Sequence, residues 1–366
     1  MYDVLLVGAG LFSAVFARQC LDAGRKVLVI ERRAHPGGNC YTERRNGIDV
    51  HVYGPHIFHT SSARIWDYVR QFANFNNFVN RPKVHYNGRL YSFPINLFTL
   101  YQLWGVQTPE EARRKLDEVR VPIENPANLE EWVLSQVGEE IYGVFIRGYT
   151  QKQWMRDPRQ LPASIIRRLP IRLTFDDNYF NDTFQGIPED GYTALLQRLL
   201  DGATIELEQD YFAAREAWDA RARTVVFTGR LDQFYDHRFG PLEYRTLRFE
   251  HEQHAVEDYQ GNAIVNYTAA DVPYTRVVEH KHFSGARSPL THITREYPVA
   301  WEPQSVPYYP ISDAANTAKY EQYAALVKLE RKHLFGGRLA EYRYYDMHQV
   351  IGSALTAAAK YLENRP

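Results

Sequence analysis

Cysteine is nearly missing from this chain: Cys20 and Cys40 are the only two in 366 residues. Their spacing matches neither a metal-ligand nor a redox pattern, and two thiols cannot make a disulfide framework, so a reducing compartment is expected. Charge of one sign is missing too. With 43 basic and 44 acidic residues the net charge is −1, so no global field attracts nucleic acid or an anionic membrane. Any anion site must be local. No uninterrupted apolar run approaches the ~18 residues of a membrane span, which argues against membrane insertion. The chain enters an apolar strand without a basic segment or cleavage site, so no secretory signal is expected. There is no internal repeat and no low-complexity segment. These absences leave a cytoplasmic protein of two or three domains.

What is present begins at once. Val4-Leu5-Leu6-Val7 is a short run of buried-strand character that feeds into Gly8-Ala9-Gly10. A helical pattern follows, with Phe12, Val15, Phe16 and Cys20 on one face, and Gly24 ends it. A second apolar strand, Val27–Ile30, finishes on Glu31. This order suits a dinucleotide. Glycines admit the backbone to a pyrophosphate, the helix start offers it unpaired N–H groups, and the terminal acid accepts from a ribose hydroxyl. Ser13 stands where the third glycine of the pattern is usual. A second glycine pair, Gly37-Gly38, followed by Asn39, comes directly after Glu31 and Arg32, which favours FAD over NAD.

Farther along, residues from about 95 to 170 turn helical. Thr108-Pro109-Glu110-Glu111 combines an N-cap, a first-turn proline and a capping acid, and Asn128-Leu129-Glu130-Glu131 repeats the logic. Val133, Val137 and Ile141 share a face that Gly138 should kink or split. From about 240 to 300 the period shortens towards two, and Tyr274–His282 reads as an antiparallel strand. Thr224–Gly229 and Phe335–Leu339 read as strands returning to the first domain, with a closing helix from Met347 to Leu362. The expected fold is α/β: a discontinuous Rossmann-like FAD-binding domain (1–79, 203–235 and 329–366) carrying two inserts. One is a helical bundle (96–170); the other is a twisted antiparallel sheet (80–95, 171–202 and 236–328).

Five later blocks carry a resemblance. Gly54–Thr60 (GPHIFHT), Gly148–Trp154 (GYTQKQW), Phe175–Phe180 (FDDNYF), Val272–Arg276 (VPYTR) and Gly337–Met347 (GRLAEYRYYDM) occur in one order. With the N-terminal unit they resemble the bacterial UDP-galactopyranose mutases. That resemblance implies reversible isomerisation of UDP-galactopyranose and UDP-galactofuranose, with N5 of reduced FAD attacking the anomeric carbon and no net redox change. It also implies an unidentified flavin reductant, a homo-oligomer (a dimer), and a product destined for galactofuranose in cell wall or lipopolysaccharide.

The resemblance further implies roles. Arg168 and Arg276 match the family's active-site arginines, where guanidinium can hold a diphosphate and stabilise charge growing on it. Arg168 would sit on a mobile loop that closes over substrate. Read alone, Arg168 is a solvated helix end and Arg276 could be half of a cross-strand ion pair. Phe145, Tyr149, Thr150, Trp154 and Tyr179, with Phe180 beside them, match the uridine and diphosphate side, and Ile146 replaces an aromatic found near the uracil in many relatives. Core packing is the competing reading for Phe145, Tyr149 and Trp154. Tyr309 and Tyr344 match diphosphate-side tyrosines. Asn80, Asn266 and Glu296 belong near the sugar or flavin. The cofactor set comprises Gly8, Gly10, Leu11, Phe12, Ser13, Glu31, Arg32, Gly38, Asn39, His56, Ile57, His59, Thr228, Gly229, Gly337, Arg338, Tyr344, Asp346 and Met347.

The pairs His56/His59 and His280/His282 could suggest a metal, but no third ligand of suitable spacing accompanies either, so no metal is expected. His59 is instead assigned to the flavin ring, with a satisfied structural histidine as the alternative for His56. Two other classes remain open. A flavin amine oxidase would share the N-terminal unit without needing a diphosphate site. A non-enzymatic relative, like the Rab GDP-dissociation inhibitors, would have no need of FAD and the two arginines.

Overall fold

The computed structural model describes residues 1–166 and 171–364. Strand β1 (Tyr2–Val7), helix α1 (Leu11–Asp22) and strand β2 (Val27–Ile30) follow one another as the sequence predicts. The strands lie parallel, with Val4 opposite Val27 and Val7 opposite Ile30, so the chain between them has to cross over the sheet. All of β2 and the last four residues of β1 are buried. A parallel sheet covered on both faces explains why these strands read as unbroken apolar runs.

Three strands from far along the chain complete this sheet. Ala222–Phe227 pairs with the free edge of β1, His333–Phe335 lies beyond it, and Thr204–Glu206 lies beyond β2, all parallel. The closing helix, Met347–Asn364, packs on α1; the Tyr361 and Phe16 rings meet at 5.7 Å, and Ile351, Ala354 and Ala358 join the same core. Tyr211, Trp218 and Phe234 fill the opposite face. One expectation is corrected here. The segment Phe335–Leu339 is strand only up to Phe335, and Gly337–Ala340 is a short helix that turns the chain back over the sheet's end.

The second sheet has seven strands, in the order Tyr309–Pro310, Tyr244–His254, Thr291–Val299, Arg276–Glu279, Ile264–Tyr267, Lys83–Tyr86 and Arg89–Ser92. Neighbours are antiparallel except Ile264–Tyr267 with Lys83–Tyr86. The strand expected over Tyr274–His282 is shorter, Arg276–Glu279, because His280 opens a helical turn, Lys281–Ser284.

Helices Leu97–Trp104, Pro109–Val119 and Leu129–Ile141 enclose the third core with Val84 and Tyr91 of the sheet. Their caps form as read. Thr108 accepts from the Glu111 N–H at 3.2 Å while the Glu111 carboxylate accepts from the Gln107 N–H at 2.8 Å, and Asn128, Glu131 and Ala127 repeat the arrangement. The backbone leaves helical geometry at Gly138, and after Ile141 the chain continues through a wide π-type turn, Tyr142–Arg147, into helix Gly148–Trp154. Among the described residues, no helix is long and apolar enough to cross a membrane.

Candidate functional site

A cleft opens at the C-terminal ends of β1, β2 and Ala222–Phe227, where ligands of open α/β sheets bind. Its wall includes Gly8, Gly10, Leu11, Phe12, Glu31, Arg32, Gly38, Asn39, His56, Thr228, Gly229, Gly337, Arg338 and Met347. These sequence-predicted cofactor residues are therefore brought together. The glycines act as a set. A Cβ on Gly38 would lie 3.0 Å from the Gly10 Cα, whereas one on Gly10 would point into open space within the cleft. No side chain caps the first turn of α1, so its N–H groups stay free for an anion. The Glu31 carboxylate accepts from the Ala9 N–H at 2.8 Å and the Arg33 N–H at 3.0 Å, tying the glycine turn to the end of β2.

Other members of the predicted cofactor set lie elsewhere. Ser13 is fully buried with its Oγ unpartnered, and Ile57 packs into the main core. Neither side chain is on the cleft wall. His59 is also off the wall. Its ring stacks on Phe180 at 3.7 Å, and its Nδ1 lies 2.6 Å from Asp182 Oδ2. His56 is the histidine on the wall. Its Nδ1 donates to the Gly54 carbonyl at 2.9 Å, and burial holds its pKa down to about 4, so the ring is neutral.

One histidine of each sequence pair, without its pair-mate, joins other possible ligand groups in the fold. His59 meets Asp346 and His348, and His282 meets Asp258 and Glu279, with ligand atoms of each group inside 4.8 Å. In the second group Glu279 already accepts from the N–H groups of Tyr259 and Gln260 and from the Thr291 hydroxyl.

Beside the cleft stands a cluster of cations and tyrosines. Arg276 opens its strand directly opposite Glu296 and Asn266. Its NH1 lies 3.4 Å from Glu296 Oε2, its Nε donates to Asn266 Oδ1 at 3.1 Å, and its NH2 approaches the Tyr149 hydroxyl at 3.4 Å. Burial alone would lower the Arg276 pKa, but Glu296, Tyr149, Tyr309 and Tyr179 hold it above its ordinary value. Burial raises the Glu296 carboxyl, with Arg276 opposing. Tyr309 and Tyr344 stack at 5.1 Å, and the Arg338 guanidinium lies 5.3 and 5.6 Å from their centroids. Arg338 also lines the cleft, so it joins the two regions.

Arg245 was not anticipated. It lies 3.8 Å over the Trp154 ring and donates to the Gln153 carbonyl. Burial lowers its pKa to about 10, and the groups opposing this are Tyr149, Tyr309 and Tyr344, with no carboxylate among them. Among the described residues no carboxylate pairs with this largely desolvated cation, an arrangement that suits an anion. Nothing in its strand, Tyr244–His254, marks Arg245 apart from Arg248; the fold alone distinguishes them.

The remaining predicted residues divide. Tyr179 meets the Phe180 ring edge-on at 5.0 Å, and the Asn80 carbonyl accepts from the Tyr179 N–H at 2.8 Å. Asn80 Oδ1 is buried with no hydrogen-bond partner among the described residues, an acceptor suited to a ligand hydroxyl. Thr150 is buried, and Asp346 interacts with Tyr179 and Tyr344. Phe145 and Ile146 sit in the helical core, each 3% exposed, as the packing alternative for Phe145 expected. Arg168 lies outside the described residues.

Against known proteins, residues 144–344 match the family described as UDP-galactopyranose mutase, and residues 6–72 match an NAD(P)-binding Rossmann-like domain. The chain is 43% identical to a probable UDP-galactopyranose mutase of Klebsiella pneumoniae, over 99% of this chain and 95% of that protein. It is 40% identical to a dTDP-fucopyranose mutase of Escherichia coli, over 100% and 99%. A crystal structure of reduced UDP-galactopyranose mutase shares the fold, with a TM-score of 0.75, 16% identity, and coverage of 100% of this chain and 96% of that one.

Proposed function

The chain belongs to the UDP-galactopyranose mutase family, and on that premise we propose that it is an FAD-dependent isomerase of UDP-galactopyranose and UDP-galactofuranose. The observation that carries this reading is the pair Arg245 and Arg276, two desolvated guanidiniums among tyrosines beside a dinucleotide cleft, of which only Arg276 faces a carboxylate, Glu296. The cross-strand pair with Glu296 accounts for Arg276 in part, but a second cation at Arg245 exceeds what one carboxylate can balance. The glycine turn, the start of α1, Glu31 and Arg338 would hold FAD, since the open space at Gly10 fits a pyrophosphate. Reduced FAD supplies, through N5, the nucleophile for the anomeric carbon, with no net redox change.

The chain's own groups supply position and electrostatics. Arg276 and Arg245 bind the diphosphate and neutralise the charge that grows on it as the glycosidic bond breaks. Arg168 is proposed to join them. Tyr149, Tyr179, Tyr309 and Tyr344 donate to phosphate oxygens, Trp154, Phe180 and the Phe145–Ile146 edge bound the uridine side, and Asn80 and Asn266 accept from sugar hydroxyls. The three-part domain division given by the sequence, a homodimer, a cytoplasmic location and a separate flavin reductant complete the proposal. A galactofuranose-containing polysaccharide would consume the product.

The 40% identity to a dTDP-fucopyranose mutase along the whole chain favours a second reading, in which the donor is a dTDP-6-deoxyhexose. The test is chromatography of UDP-galactofuranose, and separately of dTDP-fucopyranose, incubated anaerobically with dithionite-reduced protein. Many turnovers of the UDP-sugar per reduction, with oxidised protein inactive, support the first reading. Turnover of the dTDP-sugar alone supports the second, and stoichiometric flavin oxidation per sugar would sink both.

A further inference from the structure

Lys152 makes an unusual set of bonds. Its Nζ donates to four backbone carbonyls: Tyr267 at 2.7 Å, Ala269 at 2.9 Å, and Val272 and Tyr274 at 3.0 Å each. All four belong to the stretch that leaves strand Ile264–Tyr267 and enters strand Arg276–Glu279. An ammonium has three protons, so these carbonyls wrap one cation, as carbonyl dipoles wrap a bound metal. Around it the fit is close. A Cβ on Gly148 would stand 2.2 Å from the Thr268 carbonyl, so only glycine lets helix Gly148–Trp154 lie on this stretch. The Thr268 hydroxyl donates to the Val144 carbonyl at 2.6 Å. Two residues beyond the last of these carbonyls is Arg276, whose NH2 faces Tyr149 on the same helix as Lys152.

We propose that Lys152 is a positioning residue: its ammonium folds residues 267–275 around itself and so sets Arg276 against Tyr149 in the geometry that receives the diphosphate. This rests on the reading of Arg276 as a diphosphate ligand. The clasp depends on a proton, because a neutral amine cannot hold four carbonyls. Burial lowers the Lys152 pKa to about 8, with Asp271 opposing. The other titratable groups around the cage are Tyr267, Tyr274, His85, Tyr149 and Arg276. Burial raises both Tyr267 and Tyr274.

The experiment measures UDP affinity of the FAD-loaded protein from pH 6.5 to 9.5 in wild type, Lys152→Met, Lys152→Arg, Arg276→Ala and Lys152→Met/Arg276→Ala. Wild-type affinity should fall tenfold or more as pH rises through about 8. Lys152→Met should be weak at every pH. Lys152→Arg keeps a cation that does not titrate in this range, so its affinity should stay flat through pH 8 even if lower overall. In the Arg276→Ala background, Lys152→Met should cost less than threefold more. Additive losses, or an alkaline fall that persists in Lys152→Arg, would overturn the proposal. Should Lys152→Met fail to load FAD, the pH profile of Lys152→Arg decides alone. If Arg276→Ala binds UDP like wild type, the reading of the diphosphate site is what fails.

Discussion

Arg276→Ala separates a substrate role from a structural one. The substitution removes a guanidinium bonded to Asn266 at 3.1 Å and paired with Glu296 at 3.4 Å. One charge-assisted hydrogen bond to phosphate is worth about 1.5–3 kcal/mol. At roughly 1.4 kcal/mol per power of ten, kcat/KM for UDP-galactofuranose should fall by about 10- to 150-fold. The variant also leaves the Glu296 carboxyl buried alone. An ionised group stranded in this way costs about 3–5 kcal/mol; burial already raises the Glu296 pKa, and losing Arg276 removes the group that opposes that rise. The sign follows. A carboxyl with a raised folded-state pKa is tolerated at low pH and destabilises as pH rises through that value. The melting temperature of Arg276→Ala should therefore drop further below wild type between pH 5 and pH 8. Adding Glu296→Gln should restore the melting temperature and leave turnover low. The measurements are chromatographic turnover with dithionite, flavin absorbance and thermal melts across pH. Turnover within threefold of wild type at normal flavin content, or its recovery in the double variant, would refute the diphosphate assignment.

Gly10→Val should yield colourless protein, because its side chain enters the open space of the cleft; a fully loaded yellow variant would place the cofactor elsewhere. Ser13→Ala should leave flavin content unchanged and raise stability by up to about 1–3 kcal/mol, since it deletes a buried unpaired hydroxyl, and a lower denaturation midpoint would mean that Oγ has a partner. The His282 pKa is raised by its hydrogen bond to Glu279, so its contribution to stability is full below the unfolded value near 6.5 and is lost as pH rises through the folded value. His282→Gln should accordingly cost most at pH 5–6 and least at pH 8–9, read from melts of both proteins; a pH-independent difference would count against the ion pair.

The dinucleotide unit was legible because its signals are local. β1, α1 and β2 sit within thirty residues of one another, and glycine, periodicity and terminal acid all report the same backbone path. The helical caps were legible for the same reason. Where the reading failed, distance along the chain was the cause. Arg245 becomes distinctive only when Trp154, Tyr309 and Tyr344 surround it, and nothing near it in sequence says so. The groups that meet His59 are Asp346 and His348, and those that meet His282 are Asp258 and Glu279, which spacing around either histidine pair does not reveal. Ser13 and Ile57 were assigned by motif membership, which does not say whether the side chain reaches the cleft wall, and theirs do not. His280 and His282 continued an alternating pattern that the backbone abandons at Glu279.

The central sheet has a consequence for how the molecule is made. Its strands arrive in the order Tyr2–Val7, Val27–Ile30, Thr204–Glu206, Ala222–Phe227 and His333–Phe335, and β1 waits for more than half of the chain before its second neighbour exists. Such long-range pairing is slow to form. During synthesis the glycine turn emerges early, yet Thr228, Gly337 and Arg338 on the opposite wall of its cleft emerge late. A ribosome-bound chain of three hundred residues therefore has the glycine turn and Thr228 but still lacks Gly337 and Arg338. Residues 333–364 seat the final strand and helix last, so a ligand held by the completed cleft would stabilise the finished fold over its partly built forms.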